Sequence, residues 1–296
     1  MEDSKMEKAK VYFTRKITPE SLVSLYEKLG VSLPAKVAVK LSTGEAGNPN
    51  YLNPDLIKDL VQKVDGTIIE CNTAYEGKRF HSQDHWKVAQ EHGFTKIAPV
   101  DIMDEDGEIS LPVTGGKHLK ENFVGQNLKN YSSVLVLSHF KGHPMGGFGG
   151  ALKNIAIGIA SSHGKGHIHN AGVQRASIWD APQDDFLESM AEAAKSVVDY
   201  FTPANMAYVS VANNLSVDCD CVATPEPVCM ADIGVFASLN PVALDQACVD
   251  AIYQSEDPGK AHMIERMETR NAVHILEHGE AIGLASREYE LICIDE

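Results

Sequence analysis

The 296-residue sequence lacks any long hydrophobic run. Its longest apolar stretches, near residues 134–137 and 155–160, are short and bounded by glycine or polar residues, whereas a membrane helix needs about 18. The first ten residues, MEDSKMEKAK, are charged and have no apolar core, so they do not read as a secretory signal. We therefore expect a cytoplasmic protein without a membrane partner.

Positive charge is also scarce. Lysine and arginine total 26 against 41 aspartate and glutamate residues, which gives a formal net charge of −15. An acidic surface repels the phosphate backbone of nucleic acids. The composition argues against a nucleic-acid partner, and it remains compatible with a local basic pocket for a small-molecule ligand.

Cysteine is limited to six residues, and three of them lie close together: Cys219, Cys221 and Cys229. In a reducing compartment such residues are expected to be thiols or metal ligands rather than disulfides. Thiolates bind soft metals and iron–sulfur clusters, but this spacing is not the paired CxxC of a zinc ribbon. Two interpretations stay open, a metal site and three reduced thiols that pack as small hydrophobes.

What the sequence does contain is a regular alternation of short apolar strands and amphipathic helices. This pattern predicts an α/β fold with mostly parallel sheets flanked by helices. A polar, glycine-rich stretch at residues 104–126 suggests lobes 1–125 and 126–296 with a site between them. We predict strands at 36–41, 67–71, 97–101, 133–138, 206–212, 233–237 and 289–294, and helices at 54–64, 82–92, 184–201, 241–253 and 261–277.

The most informative segment, residues 138–170, follows directly on the strand at 133–138. Glycines let a backbone approach a ligand closely, and a helix N-terminus binds anions, so the order strand, glycine-rich turn and lysine suggests a bound phosphate or carboxylate. The segment matches neither a Walker A loop nor a dinucleotide fingerprint, and a packing turn with a surface lysine is the alternative. The residues concerned are Gly146, Gly147, Gly149, Gly150 and Lys153.

The same segment holds five of the twelve histidines: His139, His143, His163, His167 and His169. Imidazole suits zinc, nickel, copper or iron, and also acid–base chemistry near neutral pH. Two glycines predict a loop around His163–His169, where alternate residues of an extended chain would face one side. His163, His167 and His169 are therefore candidate metal ligands, and solvated loop histidines are the alternative.

Three long motifs carry a family resemblance: KVAVKLSTGEAGNPNYLNPDLIKDLV, HPMGGFGGALKNIAIGIAS and CDCVATPEPVCMADIGVFASLNPVALDQACVD. They resemble the family known as domain of unknown function 362. The resemblance implies a single family domain over nearly the whole chain, 1–296, and little specific chemistry. Many relatives have a ferredoxin-like insert with iron–sulfur cysteines after the central motif, whereas residues 171–200 contain no cysteine.

The central motif also resembles, more remotely, the nickel-pincer lactate racemases. That resemblance implies that Lys153 anchors a nickel-bearing cofactor, that His169 binds the metal and that His143 moves a proton or hydride. The racemases have another catalytic histidine in an earlier loop, where this chain offers Arg79 and His81 without a clear equivalent.

Arg79 follows the predicted strand 67–71, at the end where ligands bind in such sheets. It could hold a substrate carboxylate through a bidentate contact, and a surface salt bridge is the plainer alternative. Asp245 is expected on a solvated helix face.

Together these features favour a metal- or cofactor-dependent enzyme that acts on a small carboxylate-bearing molecule, with His143, Lys153 and Arg79 as catalytic candidates. A racemase, isomerase or oxidoreductase would fit, with nickel, iron or zinc as the metal. One alternative is an iron–sulfur or other metal-binding redox protein that uses Cys219, Cys221 and Cys229. Another is a non-catalytic binder of a phosphorylated small ligand.

Overall fold

The computed structural model describes residues 8–295; most of the charged N-terminal stretch, residues 1–7, lies outside the described part. Its strands are β1 (Ala9–Thr14), β2 (Val37–Lys40), β3 (Thr67–Glu70), β4 (Val100–Ile102), β5 (Glu108–Pro112), β6 (Glu121–Gly125), β7 (Ser133–His139), β8 (Lys141–His143), β9 (Gly147–Gly149), β10 (Met206–Ala212), β11 (Gly234–Ser238) and β12 (Tyr289–Cys293). Its helices are α1 (Pro19–Lys28), α2 (Pro54–Lys63), α3 (Ser82–Glu91), α4 (Ala151–Ala156), α5 (Ser162–His169), α6 (Gln183–Phe201), α7 (Pro241–Gln254), α8 (Lys260–Thr269) and α9 (His274–Ala281).

Eight strands form one sheet in the order β12-β1-β11-β10-β7-β2-β3-β4. Seven run in one direction and β11 alone is antiparallel to its two neighbours. The predicted α/β fold with a mostly parallel sheet is therefore confirmed. Strands from both sides of residue 125 share this sheet, and a division into lobes at that point stays a prediction.

The central strands β7 and β10 are buried along their whole length. Helices cover both faces of the sheet, with α4, α6 and α7 contributing to one hydrophobic cluster and α1 and α2 to the other. Burial on both faces explains why these strands read as continuous apolar runs rather than alternating patterns. The strand at 206–212 was predicted with its observed bounds, and the strand at 133–138 with its observed start.

Two predictions along the chain were wrong. Residues 261–277 form two helices rather than one, because Asn271 adopts a left-handed conformation (φ 48°) that ends α8. Residues 162–169 form helix α5 rather than a loop, because the Ser161 side chain accepts a hydrogen bond from the Gly164 N–H and caps its first turn.

The site is positioned by the carboxyl ends of four parallel strands. Because β2, β3, β7 and β10 run side by side in the same direction, the segments that follow them meet at one edge of the sheet. After β7 the chain makes the antiparallel hairpin β8–β9 and then enters α4. Within residues 8–295, none of the helices combines the length and the apolar character that crossing a bilayer requires.

Candidate functional site

A cavity of about 290 Å³ lies at this edge of the sheet. Its wall combines basic, imidazole, carboxylate and sulfur groups from the four converging segments. Its lining includes Lys40, Glu70, Cys71, Arg79, His139, Lys141, His143, Gly149, Gly150, Lys153, Lys165, His169, Trp179, Cys219, Asp220 and Cys221.

The cavity wall is basic although the whole chain is acidic. Five lysine or arginine side chains line it against two carboxylates, Glu70 and Asp220. Lys40 Nζ donates to Glu70 Oε2 at 2.7 Å, and Lys141 Nζ lies 2.9 Å from Asp220 Oδ2. Against the opposing effect of burial, the charge of Lys40 lowers the pKa of Glu70 to about 2, and contacts with His139 and Lys141 lower the pKa of Asp220. Both acids are therefore ionised, and the basic excess persists at neutral pH.

Lys153 projects from α4 into the cavity. Burial, and then the positive charge of Lys141, lowers its pKa to about 7. Asp220 attracts the Lys153 ammonium, but that carboxylate is already engaged by His139 and Lys141. Near neutral pH a large fraction of Lys153 is therefore a free amine, the nucleophilic form.

His143 is fixed in one neutral tautomer. Its Nδ1 accepts hydrogen bonds from the backbone N–H groups of Met145 (3.1 Å) and Gly146 (2.9 Å), so the proton must sit on Nε2. Burial, and then the charge of Lys153, lowers the pKa of His143 well below its usual value. The ring is therefore a hydrogen-bond donor through Nε2–H, and the geometry does not favour the predicted acid–base role.

The three candidate metal histidines do not share a site. Because α5 is a helix, residues two apart point in different directions. His169 is buried, stacked on Phe186 with ring centroids 4.6 Å apart, and lines the cavity. His163 is exposed beside Glu108, and His167 packs edge-on against Phe123. The prediction that His167 and His169 face one side is therefore wrong.

The His169 ring is suited to a ligand. Burial, and then the charge of Lys153, lowers its pKa to about 3, so the imidazole is neutral. Its Nδ1 is buried and has no hydrogen-bond partner among the described residues. A neutral imidazole with an unsatisfied nitrogen fits a metal ligand or a hydrogen-bond acceptor for a bound molecule.

The N–H groups that follow the glycine-rich turn are engaged by a side chain of the protein. The first N–H groups of α4, from Ala151 and Leu152, donate to the two oxygens of Asp245 at 2.7 and 2.9 Å. Gly150 is required there, because a Cβ would lie 2.3 Å from Asp245 Oδ1. The Asp245 carboxyl thus occupies the helix N-terminus, and the residue is fully buried rather than on the predicted solvated face. Burial raises the pKa of this carboxyl to about 7.

The other glycines of the turn have different roles. Gly147 has φ 78° and turns the β8–β9 hairpin, where a Cβ would meet Ala272 at 2.4 Å. The Gly146 N–H fixes the His143 ring, and Gly149 lines the cavity. Close approach of the backbone therefore serves packing at Gly147 and Gly150, and Gly149 and Gly150 lie at the cavity wall.

Arg79 lines the cavity, and its ion pairs are buried rather than on the surface. Its Nε donates to Glu45 Oε2 at 3.2 Å, and its Nη1 lies 3.7 Å from Glu70 Oε1. The Tyr75 hydroxyl accepts from Nη2 at 3.4 Å. The surface alternative is wrong, and the substrate-binding role of Arg79 stays a prediction.

The structure separates the three clustered cysteines. Cys219 and Cys221 lie on the cavity wall and are joined by a disulfide, with their Cα atoms 5.3 Å apart, which departs from the expected thiols. Residues two apart on a turn bring both sulfurs to one side. Cys229 lies elsewhere, where its thiol donates to the carbonyl of Leu215.

The donors near the disulfide fit a metal only in part. His143, Cys219 and Cys221 offer ligand atoms within 4.8 Å of one another. The sulfurs can bind a metal only after reduction, and His143 Nε2 carries the proton that a metal would have to displace. His169 lines the same cavity but does not belong to this group of donors.

Several cavity residues were missed by the sequence predictions. The two ring nitrogens of His139 face acceptor oxygens, Asp220 Oδ1 (2.8 Å) and the Asn213 carbonyl (2.7 Å), and the first contact orients Asp220. Lys40 and Lys165 are the other missed cations, and Lys165 Nζ donates to the carbonyl of Ala160 at 2.6 Å. A lysine at the end of a buried strand, as in KVAVK, is the signal that could have identified Lys40.

The chain belongs to the family described as domain of unknown function (DUF362), whose family model matches residues 37–250. This confirms the resemblance noted from the sequence motifs. Among curated proteins none matches the chain.

Two solved structures are similar in fold. One is the lactate racemase apoprotein from Thermoanaerobacterium thermosaccharolyticum, with 14% identity, a TM-score of 0.43 and coverage of 71% of this chain and 52% of that chain. The other is a structural-genomics protein from Thermotoga maritima, with 14% identity, a TM-score of 0.46 and coverage of 79% and 57%. The chain thus spans little more than half the length of either protein.

Proposed function

We propose that the protein is an enzyme that binds a small carboxylate-bearing molecule in the cavity and uses the amine of Lys153 in covalent chemistry. The observation that carries this proposal is the position of Lys153, with a pKa of about 7, in a cavity with an excess of basic side chains. Amines of this kind are nucleophiles at physiological pH.

The electrostatics and the size of the cavity support the choice of ligand. A volume of about 290 Å³ is at the small end for ligand pockets and suits a short organic acid. Lys141 and Lys165 lie in a buried setting where a carboxylate gains more from charge pairing than it would in water. A phosphorylated ligand would pair with the same cations, so binding alone has to be distinguished from covalent reaction with Lys153.

The residues around Lys153 support its role as a nucleophile. The neutral amine would attack a ligand carbonyl carbon and form a C–N bond. Its two protons would pass to the former carbonyl oxygen, which leaves as water when the C–O bond breaks, and an imine would remain between that carbon and Nζ. The Nε2–H of His143 would donate to the carbonyl oxygen as negative charge develops on it. His143 then stabilises charge without exchanging a proton, in keeping with its fixed tautomer.

A metal or cofactor in the cavity would find an unpaired nitrogen at His169 Nδ1. Cys219 and Cys221 could act as ligands only after their disulfide is reduced. When bound, nickel, iron or zinc would polarise a ligand carbonyl. Lys153 could equally anchor an organic cofactor through the same amine.

The test uses pyruvate as a carbonyl and carboxylate probe, with cyanoborohydride to trap an imine. Peptide mass spectrometry should find the adduct at Lys153, with labelling that rises with pH around a midpoint near 7. The Lys153→Met variant should lose the adduct, whereas Lys87→Met, which removes an exposed lysine paired with Asp84, should keep it. Equal labelling of surface lysines and Lys153 would rule out the proposed nucleophile.

A second readout separates chemistry from binding. Malonate and phosphate, which have no ketone, should raise the melting temperature of both the wild type and Lys153→Met. If ligands stabilise the protein but no adduct forms at any pH, the cavity belongs to a non-catalytic binder.

The disulfide on the cavity wall favours a second candidate, a redox or metal-binding protein. Cys221 Sγ lies 3.9 Å from His143 Nε2, so its sulfur faces the same cavity as Lys153. Anaerobically reduced protein should then bind metal that a Cys219→Ser, Cys221→Ser variant loses. Equal metal content in the two proteins would remove this candidate.

A further inference from the structure

A second group of metal-ligating side chains lies at α6 and outside the cavity wall. Asp185, Glu188 and Glu192 lie three, then four residues apart on this helix, so they share one face. Glu192 is fully buried, and its carboxylate accepts hydrogen bonds from the backbone N–H groups of Lys117 (2.8 Å), His118 (3.0 Å) and Leu119 (2.8 Å). That anchor fixes the loop that presents His118 over the same face.

The side chains converge on Glu188. His118 Nε2 lies 2.5 Å from Glu188 Oε2 and 3.8 Å from Asp185 Oδ1, and the three residues offer ligand atoms within 4.8 Å of one another. From α9, His274 Nε2 lies 3.0 Å from the other oxygen of Glu188. Three separate segments of the chain therefore meet at one carboxylate.

We propose that His118, Asp185 and Glu188 form a binding site for a divalent transition metal. One imidazole and two carboxylates are donors that Zn²⁺ accepts in a three-ligand site with an open position for water. His274 would hold the second oxygen of Glu188 and so fix the direction of the ligating one.

Two groups now in contact with Glu188 would give way to the metal. The proton on His118 Nε2 would leave, because the nitrogen that donates to Glu188 becomes a ligand. The Lys117 ammonium, 2.7 Å from Glu188 Oε2, sits on a side chain that is 61% exposed and can turn into water. A bound metal would then tie the 117–119 loop to α6, with α9 joined through His274.

This site is separate from the one proposed for catalysis. His118, Asp185 and Glu188 are absent from the cavity wall of the described chain. Phe186, which stacks on the cavity residue His169, is one residue after Asp185 and two residues before Glu188. At these helical spacings its side chain points in a different direction from theirs. The metal site can therefore be tested without any assumption about the reaction.

The experiment is equilibrium dialysis of the full chain against buffered Zn²⁺, with the bound metal counted by elemental mass spectrometry. We expect one equivalent of zinc whose affinity falls at least about tenfold in His118→Ala and in Asp185→Asn. The Asp185 side chain is 34% exposed, so its variant should fold even if removal of His118 disturbs the loop. His163→Ala, which removes an exposed histidine paired only with Glu108, is the matched control and should bind zinc like the wild type.

Co²⁺ identifies the ligand atoms. The nitrogen–oxygen site should give ligand-field bands without the sulfur-to-metal charge-transfer band that cysteine ligands would produce. Unchanged zinc affinity in Asp185→Asn, or loss of zinc only in the Cys219→Ser, Cys221→Ser variant, would overturn the proposal.

Discussion

Arg79 supplies positive charge to two buried carboxylates, Glu45 and Glu70. Removing one partner of a buried ion pair leaves the other charge without compensation, which destabilises proteins by about 3–5 kcal/mol. We expect Arg79→Ala to lower the free energy of unfolding by that amount, measured by urea denaturation.

The matched control is Lys87→Ala, which breaks the exposed pair with Asp84 and should change stability by less than about 1 kcal/mol. Similar urea midpoints for the two variants would show that the Arg79 pairs contribute little. The sequence placed Arg79 near a ligand site, but a single residue gives no information about which carboxylates will surround it.

Lys153 predicts a pH dependence of stability. Its pKa is about 7 in the folded chain against 10.5 ordinarily, so between these values the unfolded chain binds a proton that the folded chain does not. Stability should therefore rise with pH across this window, and the cost of burying the ammonium is fully present below pH 7. At pH 6 the free energy of unfolding of Lys153→Met should exceed that of the wild type by a few kcal/mol, because each unit of pKa shift corresponds to about 1.4 kcal/mol.

The measurement is the difference in unfolding free energy between Lys153→Met and the wild type from pH 6 to pH 10. The difference should shrink steadily over that range. A constant difference would mean that Lys153 is charged in the folded protein throughout.

At the scale of elements, the start of α4 depends on the close approach of Gly150 to Asp245. Gly150→Ala forces the buried carboxylate away from the Ala151 and Leu152 N–H groups, and we expect a loss of about 1–3 kcal/mol. Gly166→Ala in α5 is the control, because its Cβ would meet Ile178 at an ordinary 3.5 Å.

That control should be neutral or stabilising by up to about 1 kcal/mol, since alanine is the better helix former. Calorimetric melting of both variants tests the pair. Equal melting temperatures would mean that the carboxylate can move at no cost.

Elements with strong local signals could be predicted from the sequence, and elements that depend on distant partners could not. Asn53 and Pro54 mark the start of α2, and the apolar run 206–212 marks β10. Helix α5 was missed because its two glycines predicted a loop and the N-cap at Ser161 was not recognised. The packing of α5 against α6, which stabilises the helix, depends on a distant segment and cannot be inferred from the local sequence. The hydrogen bonds from the start of α4 to the Asp245 carboxyl could not be predicted either, because Asp245 lies about ninety residues after Ala151 in the sequence.

At the scale of the whole molecule, a chain of net charge −15 encloses a basic cavity. Small anions should stabilise the fold by binding there, by about 2.7 kcal/mol at a hundred times the dissociation constant. We expect malonate to raise the melting temperature by several degrees, and the effect to weaken as sodium chloride is added.

The matched control is propanediamine, a dication of similar size that should give no such shift. A shift that is equal for both compounds would indicate a non-specific effect of the additive. From the sequence, Lys153 and a glycine-rich turn predicted a negatively charged ligand. In the structure the lysine and arginine side chains of the cavity come from distant segments of the chain, which become neighbours only through the order of strands in the sheet.

The order of strands in the sheet has a consequence for synthesis on the ribosome. β1 precedes the other described strands along the chain, yet its two neighbours are β11 and β12, whose residues lie more than 200 positions later. Val11 and Phe13, buried in the finished sheet, must wait for residues 234–238 and 289–293 before they are covered. The nascent chain therefore carries an unpaired apolar strand until β11 and β12 have both been made, and in that interval β1 is a segment that a chaperone would have to shield.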